Sequence, residues 1–89
     1  FAERDRGWRM VEEGATRLDG GDLPVNCSGG VLSSNPIGAS GMIRFAEAAL
    51  QVRGMAGEHQ VDGARMALGH AYGGGAQYFA MWVVGADKP

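Results

Sequence analysis

The chain has 89 residues and a formal net charge of -2, with eight Lys and Arg against ten Asp and Glu. The basic residues are dispersed, which argues against a nucleic-acid-binding surface. The single Cys27 excludes an internal disulfide, and no Cys/His cluster has zinc-site spacing, so we expect no metal. Sixteen glycines with three prolines and no G-X-Y period exclude collagen and indicate tight loops.

The first residue and the longest apolar stretch argue against a membrane-spanning or secreted protein. The stretch Tyr78 to Ala86 is about half of the roughly 20 residues that span a bilayer, so we expect no membrane span. Position 1 is Phe and not Met, so we expect that the natural chain does not start there. The sequence has no signal-peptide pattern, so we expect a cytoplasmic location. A chain of this size hides only roughly 60 to 65% of its extended-state surface, so we expect it to pack against another structure.

The first half of the chain predicts one helix and one strand. Apolar residues recur at helical spacing over Ala2 to Glu13, and Gly14 ends the pattern. A turn over Asp19 to Asp22 leads into a predicted strand, Leu23 to Cys27. The loop Ser28 to Ile37 follows the strand.

A second helix is predicted over Gly38 to Arg53, with Gly54 just past its end. This helix is apolar nearly all round, and only Arg44 and Glu47 interrupt it, as an i,i+3 pair. A helix of this kind is normally buried on several sides. We therefore expect more covering structure than 89 residues supply.

The last third of the chain predicts a hairpin. A polar connection, Met55 to Gly63, precedes two predicted strands, Ala64 to Tyr72 and Ala76 to Val84. Gly73 to Gly75 join them as an antiparallel pair. The predicted order is helix, strand, helix, strand, strand, which is an α/β arrangement.

Three stretches carry a resemblance to a known family: V-N-C-S-G-G-V-L-S-S-N-P-I-G-A-S-G (Val25 to Gly41), Q-V-R-G-M-A-G-E-H-Q-V-D-G-A (Gln51 to Ala64) and G-H-A-Y-G-G-G (Gly69 to Gly75). They resemble, in the same order, three regions of thiolases: N-P-S-G-G with G-H-P-x-G-A-[ST]-G, then Q-L-R-G-x-A-G-x-x-Q-V-x-G-A, then H-N-x-G-G. The branch with the strongest resemblance contains sterol-carrier-protein thiolases and related lipid-transfer proteins. Agreement in order and spacing makes this match more specific than a lone glycine motif.

The resemblance implies a fold, a ligand and partners. The fold is the thiolase-like layered α/β/α/β/α fold, with residues 1–89 as the last part of an incomplete C-terminal domain. The helix over 38–53 would then lie between two sheets. The implied partners are acyl-CoA, the remaining part of the thiolase chain and further copies in a homodimer or tetramer. Coenzyme A thioester is the implied substrate, with no permanently bound cofactor.

The implied activity is acyl transfer. The family reaction is a Claisen condensation or its thiolytic reverse, so the full-length chain is expected to be an acetyl-CoA acetyltransferase-class enzyme of lipid or sterol metabolism. The cysteine nucleophile of the relatives lies in a C-x-S motif upstream, so the fragment alone is expected to be inactive. Cys27 occupies a position where the relatives have Pro or another apolar residue, and we expect a buried small hydrophobe there.

Asn35 is the main departure from the family pattern. Aligning S-N-P-I-G with G-H-P-x-G puts Asn35 where the relatives have the histidine that activates the nucleophile and helps bind the oxyanion. A carboxamide cannot accept a proton near pH 7, but its NH2 group can donate a hydrogen bond to an oxyanion. Alternatively, the Asn-Pro pair only shapes the turn before the helix. The residues expected to contact the thioester or its pantetheine arm are Gly30, Ser34, Pro36, Gly38, Ala39, Tyr72, Gly73 and Gly74.

Two histidines receive different predictions. His70 matches the histidine of H-N-x-G-G and is a candidate catalytic residue, with a hydrogen-bonded structural role as the alternative. Ala71 falls where many thiolases carry an acid/base cysteine, a group that sterol-carrier-type relatives place upstream. Tyr72 either contributes its phenol to the site or packs as an aromatic side chain with its hydroxyl at the rim. His59 lies in the polar connection and is expected to be exposed.

Two other functions stay open. A retro-aldol lyase acting on β-hydroxyacyl-CoA needs a base but no thiol nucleophile. Thiolase-like lyases of that kind often require a partner with an oligonucleotide-fold domain. The third possibility is an acyl-CoA or lipid carrier that has lost its catalytic groups. The fold alone does not choose among these, because function depends on the site.

Overall fold

A computed structural model describes residues 1–88 of the chain as two helices and one hairpin. The elements are α1 (Gly7–Glu12), α2 (Ser40–Val52), β1 (Met66–Gly73) and β2 (Tyr78–Gly85). Short 3-10 turns occur at Gly30–Leu32, Ile37–Ala39 and Gly57–His59. Neither helix of the described part combines the length and apolarity needed to cross a bilayer.

α1 is shorter than the predicted helix over Ala2 to Glu13. It begins only at Gly7 because Asp5 has a φ of 61°, a left-handed conformation that cannot continue a right-handed helix. No residue of α1 is buried. This helix therefore lies on the surface of the described chain.

The predicted strand Leu23 to Cys27 is wrong. Pro24 has no N–H to donate to a ladder, and Asn26 has a φ of 53°, which ends the extended backbone. The amides of Leu23 and Val25 still donate to backbone carbonyls that follow α1, at 2.9 and 3.1 Å. The segment folds back on the preceding chain without forming a strand, so the observed order is helix, helix, strand, strand.

α2 begins two residues after the predicted start at Gly38. Ile37–Ala39 form a 3-10 turn first, and the α-helix starts at Ser40. Gly54, with a φ of 67°, ends the helix as predicted. Its N–H and that of Met55 donate back to carbonyls of the last turn, at 3.2 and 2.9 Å, which satisfies groups that a helix end leaves unpaired.

The antiparallel hairpin is confirmed, with its turn shifted along the chain. The register runs from Met66 opposite Gly85 to Gly73 opposite Tyr78. The turn is formed by residues 74–77, whereas the sequence predicted Gly73 to Gly75. Three consecutive turn residues have positive φ: Gly74, Gly75 and Ala76.

α2 packs on one face of the hairpin through small side chains. A Cβ added to Gly41 would lie 2.9 Å from the Cβ of Ala71, so the first turn of α2 and the end of β1 are in close contact. The ring of Phe45 meets Trp82 edge to face, with centroids 5.7 Å apart. Gly69 lies against the Trp82 indole, where any side chain would overlap the ring. Gly41 therefore allows the close approach of helix and sheet, and Gly69 leaves room for the Trp82 ring that contacts Phe45.

The opposite face of the hairpin is open in the described chain. Strand alternation places six large apolar side chains there, each between 42% and 74% exposed: Met66, Leu68, Tyr72, Phe79, Met81 and Val83. On α2 only Ala48 and Gln51 are buried, and Met42 is 70% exposed. The chain therefore leaves large apolar surfaces uncovered, as its composition predicted.

Candidate functional site

The loop before α2 is held in shape by its own backbone. Gly29 and Gly30 have φ values of 83° and 59°, a conformation that favours glycine. The Ser33 hydroxyl lies within hydrogen-bond distance of two carbonyl oxygens, those of Ser28 (2.7 Å) and Gly30 (3.0 Å). The loop is therefore a tight turn, and Gly30 is its buried residue.

Arg44 of α2 connects both ends of this loop to the helix. Its Nη1 donates to the Ser28 hydroxyl at 3.1 Å, and its Nη2 donates to the Ser34 carbonyl at 2.9 Å. The Nε is buried and has no hydrogen-bond partner among the described residues. Arg44 and Glu47 are the i,i+3 pair of charged residues on α2, but the guanidinium of Arg44 bonds to the loop.

Asn35 is oriented by the first residue of α2. The Ser40 hydroxyl donates to Oδ1 of Asn35 at 2.7 Å. Because Oδ1 is the acceptor, the Asn35 NH2 group points away from Ser40 and keeps its donors. Asn35 is itself exposed, so those donors are accessible to a ligand. This arrangement suits a hydrogen-bond donor and gives no means of accepting a proton.

The backbone after Asn35 is strained and open. Ile37 has a φ of 48°, which is an outlier for a β-branched residue. A Cβ added to Gly38 would meet nothing within 4 Å. No side chain in the described residues caps the first turn of α2. The 3-10 turn instead pairs the N–H groups that lead into the helix: Ala39 donates to the Pro36 carbonyl at 3.2 Å and Ser40 donates to the Ile37 carbonyl. The open space at Gly38 therefore lies three residues after the Asn35 carboxamide.

The predicted binding residues fall into two groups, and the side chain of Tyr72 in the second group lies on the face of the hairpin away from α2. Gly30, Ser34, Pro36, Gly38 and Ala39 lie in the loop and the 3-10 turn before the helix. Tyr72, Gly73 and Gly74 lie at the hairpin tip, which the contact between Ala71 and Gly41 brings beside the helix start.

His70 is not brought to Asn35. Side chains alternate along β1, so Ala71 faces α2 and His70 lies on the open face of the hairpin. There His70 stacks on Phe79, with centroids 5.9 Å apart and an interplanar angle of 20°. Tyr72 is on the same open face and is 65% exposed. The structure therefore separates the two predicted catalytic residues across the sheet.

Comparison with known proteins places these features in a family. A family model described as "Thiolase C-terminal domain-like" matches residues 1–86. The chain belongs to this thiolase family. The match confirms the family and the α/β thiolase-like fold that the sequence motifs predicted.

Individual relatives agree with the family match. The chain is 47% identical over 75 residues to the acetyl-CoA acetyltransferase of Methanothermobacter thermautotrophicus, covering 83% of this chain and 19% of that protein. It is 42% identical over 81 residues to sterol carrier protein 2 of Homo sapiens, covering 82% and 15%. It is 38% identical over 68 residues to non-specific lipid-transfer protein-like 2 of Caenorhabditis elegans, covering 74% and 16%. The chain spans less than a fifth of the length of these relatives.

Cys27 of this thiolase C-terminal domain is half-buried, and its environment makes the thiol a weaker nucleophile. Burial raises the pKa of its thiol; a backbone hydrogen bond opposes this shift, and the Glu47 carboxylate adds to it. A raised pKa lowers the thiolate fraction, and the thiolate is the nucleophile. No group of three or more His, Cys, Asp or Glu in the described residues forms a metal site. The small-hydrophobe interpretation of Cys27 therefore fits the structure.

The connection after α2 is organised by two glutamines that sequence reasoning did not single out. Gln51 is 5% exposed; its Nε2 donates to the His59 carbonyl (2.7 Å), and its Oε1 accepts from the Val61 amide (2.9 Å). Gln60 donates to the Gln51 carbonyl (3.0 Å) and accepts from the Ala56 amide (2.9 Å). The signal was present in the thiolase-like motif, which contains both glutamines.

Glu47 and His59 contact each other, which the sequence did not predict. The Glu47 carboxylate accepts from Gln51 at 3.1 Å, and its other oxygen lies 3.0 Å from Nε2 of His59. The His59 side chain is 40% exposed, so the histidine is partly exposed as expected, but its ring also contacts Glu47. Both residues belong to the structural network at the carboxyl end of α2, away from the loop that carries Asn35.

Proposed function

We propose that this chain is the C-terminal part of a thiolase-like acyl-CoA acyltransferase that makes or cleaves carbon–carbon bonds in acyl-CoA thioesters of lipid or sterol metabolism. The observation that carries the proposal is the hydrogen bond from Ser40 to Oδ1 of Asn35. It leaves the Asn35 NH2 group as a fixed donor at the uncapped start of α2. A thioester carbonyl that becomes an oxyanion needs such a donor.

In this proposal Asn35 has one of the two roles of the family histidine. It stabilises negative charge on the thioester oxygen, while a residue outside this chain moves the proton that the carboxamide cannot accept. Open space at Gly38 leaves room for the thioester beside this donor. The resemblance to acetyl-CoA acetyltransferases and lipid-transfer proteins supports coenzyme A thioesters as the substrate class.

The proposal extends to the surroundings of the enzyme. We propose a homodimer or tetramer, because the open face of the hairpin and the exposed part of α2 need covering structure. We also propose the cytoplasm, a reducing compartment in which the free thiol of Cys27 is stable.

The test is substitution of Asn35 in the full-length protein, with acetoacetyl-CoA and CoA as substrates. Asn35→Ala should lower kcat by about 10²- to 10³-fold, the usual effect of losing one oxyanion donor. Asn35→Asp has the same shape but only accepts hydrogen bonds, so it should be at least as slow. Gln77→Ala, an exposed amide in the hairpin turn, is the control and should retain the wild-type rate. Unchanged turnover by Asn35→Ala would show that Asn35 only shapes the turn.

A second function is favoured by the same residue. Because Asn35 cannot accept a proton and so cannot activate a cysteine, a retro-aldol lyase acting on β-hydroxyacyl-CoA is the alternative, with a base supplied elsewhere. Incubation with β-ketoacyl-CoA and with β-hydroxyacyl-CoA separates the two enzymes by their products. Co-purification of an oligonucleotide-fold protein would favour the lyase. Binding of acyl-CoA with turnover of neither substrate would instead identify a carrier.

A further inference from the structure

Arg44 is one of the two charged residues of α2, and its contacts are specific. Both terminal nitrogens of its guanidinium reach the loop before α2: one bonds the Ser28 hydroxyl at 3.1 Å and the other bonds the Ser34 carbonyl at 2.9 Å. These bonds connect residues 16 and 10 positions apart in the chain. A planar guanidinium can hold two acceptors at once in a fixed geometry, and a lysine ammonium lacks this fork.

The second contact lies immediately before Asn35. The Ser34 carbonyl belongs to the peptide group that continues into Asn35, so fixing that oxygen fixes the backbone from which the carboxamide projects. Ser40 holds the side chain of Asn35 at Oδ1, 2.7 Å away. Backbone and side chain of Asn35 are thus each connected to α2, by Arg44 and by Ser40.

Hydrogen bonds within the loop shape the turn but do not connect it to α2: the Ser34 amide donates to the Gly30 carbonyl at 3.3 Å. The side-chain hydrogen bonds of Ser33 stay within the loop. Ile37, just after the Asn-Pro pair, is 87% exposed and has a positive φ. A strained conformation persists only when surrounding contacts determine it. In the described chain, the side-chain hydrogen bonds that join this loop to α2 come from Arg44 and Ser40.

We propose that Arg44 is a positioning residue that holds Asn35 at the oxyanion site by fixing the Ser34 carbonyl against α2. This inference rests on the proposed function of Asn35. It predicts that Arg44 affects turnover through Asn35, and that a substitution at Arg44 has no effect on turnover once the carboxamide is absent.

A double-mutant cycle in the full-length protein tests the proposal, with kcat and KM measured for acetoacetyl-CoA and CoA. Arg44→Met keeps most of the side-chain volume, and it should lower kcat by about 10- to 100-fold because small misplacements of a catalytic group have effects of this size. KM should change by less than about twofold, since uniform binding is not the role assigned to Arg44. In the Asn35→Ala background, Arg44→Met should have no further effect on kcat.

Two matched variants complete the experiment. Arg53→Met makes the same change at the exposed end of the same helix and should leave kcat at the wild-type value. Arg44→Lys keeps the charge without the fork and should give a kcat between those of wild type and Arg44→Met. If Arg44→Met does not fold, Arg44→Lys is combined with Asn35→Ala in its place.

The outcomes separate this inference from the proposed function. Equal loss of kcat from Arg44→Met with and without Asn35 would show a general structural role and overturn the inference alone. A wild-type kcat for Arg44→Met would overturn it as well. If Asn35→Ala itself is fully active, the oxyanion role fails and the positioning role fails with it.

Discussion

Replacement of Gln51 by Ala should open the connection between α2 and β1. The Gln51 side chain is 5% exposed and makes three hydrogen bonds, to the Glu47 carboxylate, the His59 carbonyl and the Val61 amide. The two bonds to backbone groups are each worth about 0.5–1.5 kcal/mol net, and the bond to the carboxylate about 1.5–3 kcal/mol. Water can reach the partly exposed partners, so we expect about 2–3 kcal/mol of lost local stability.

Hydrogen exchange of the Val61 amide measures this loss directly. Val61 donates its N–H to Oε1 of Gln51 at 2.9 Å, so its protection reports the opening of this network. A loss of about 2–3 kcal/mol corresponds to roughly 30- to 150-fold faster exchange, at about 1.4 kcal/mol for each factor of ten. Gln77→Ala makes the same change at an exposed position and should leave Val61 protected. Protection of Val61 within threefold of wild type in Gln51→Ala would refute this account of the connection.

Two further predictions concern reactivity and self-association. Cys27 should react with iodoacetamide more slowly in the folded protein than in urea at pH 8, because burial raises the pKa of its thiol. The difference in rate should become smaller as the pH rises through the pKa of the folded-state thiol. Peptide mapping by mass spectrometry measures both rates, and equal rates at pH 8 would contradict the burial of the thiol. The isolated 1–89 chain should self-associate through the open hairpin face, which sedimentation velocity detects; a soluble monomer that unfolds cooperatively would contradict this.

Local sequence signals predicted the elements that local chemistry determines. The end of α2 follows from Gly54, whose left-handed conformation lets the last turn bond back on itself. The hairpin follows from two β-prone runs around a glycine triplet. The predicted strand at Leu23 to Cys27 is absent because Pro24 has no N–H for a ladder and Asn26 is left-handed. Those two residues carried the information needed to reject the strand.

The side-chain contacts were less predictable, since they depend on which segments meet in space. Helical spacing puts Arg44 and Glu47 on one side of α2, but each finds a better partner in another segment. Motif alignment likewise assigned Asn35 and His70 to one site without regard to strand alternation. The alternation places Ala71 against α2 and turns His70 to the open face. A motif match gives residue identity, whereas the face of a strand depends on register.

The geometry at the start of α2 limits what this chain can contribute to acyl transfer. In the described residues, Asn35 has Ser40 as its side-chain hydrogen-bond partner, and Arg44 holds the preceding carbonyl. Both contacts fix a donor, and neither supplies a base. The histidines are elsewhere, with His59 beside Glu47 and His70 stacked on Phe79. If the proposed acyl-CoA chemistry takes place at this site, its proton transfer therefore requires a group other than Asn35, Ser40, Arg44 and the two histidines.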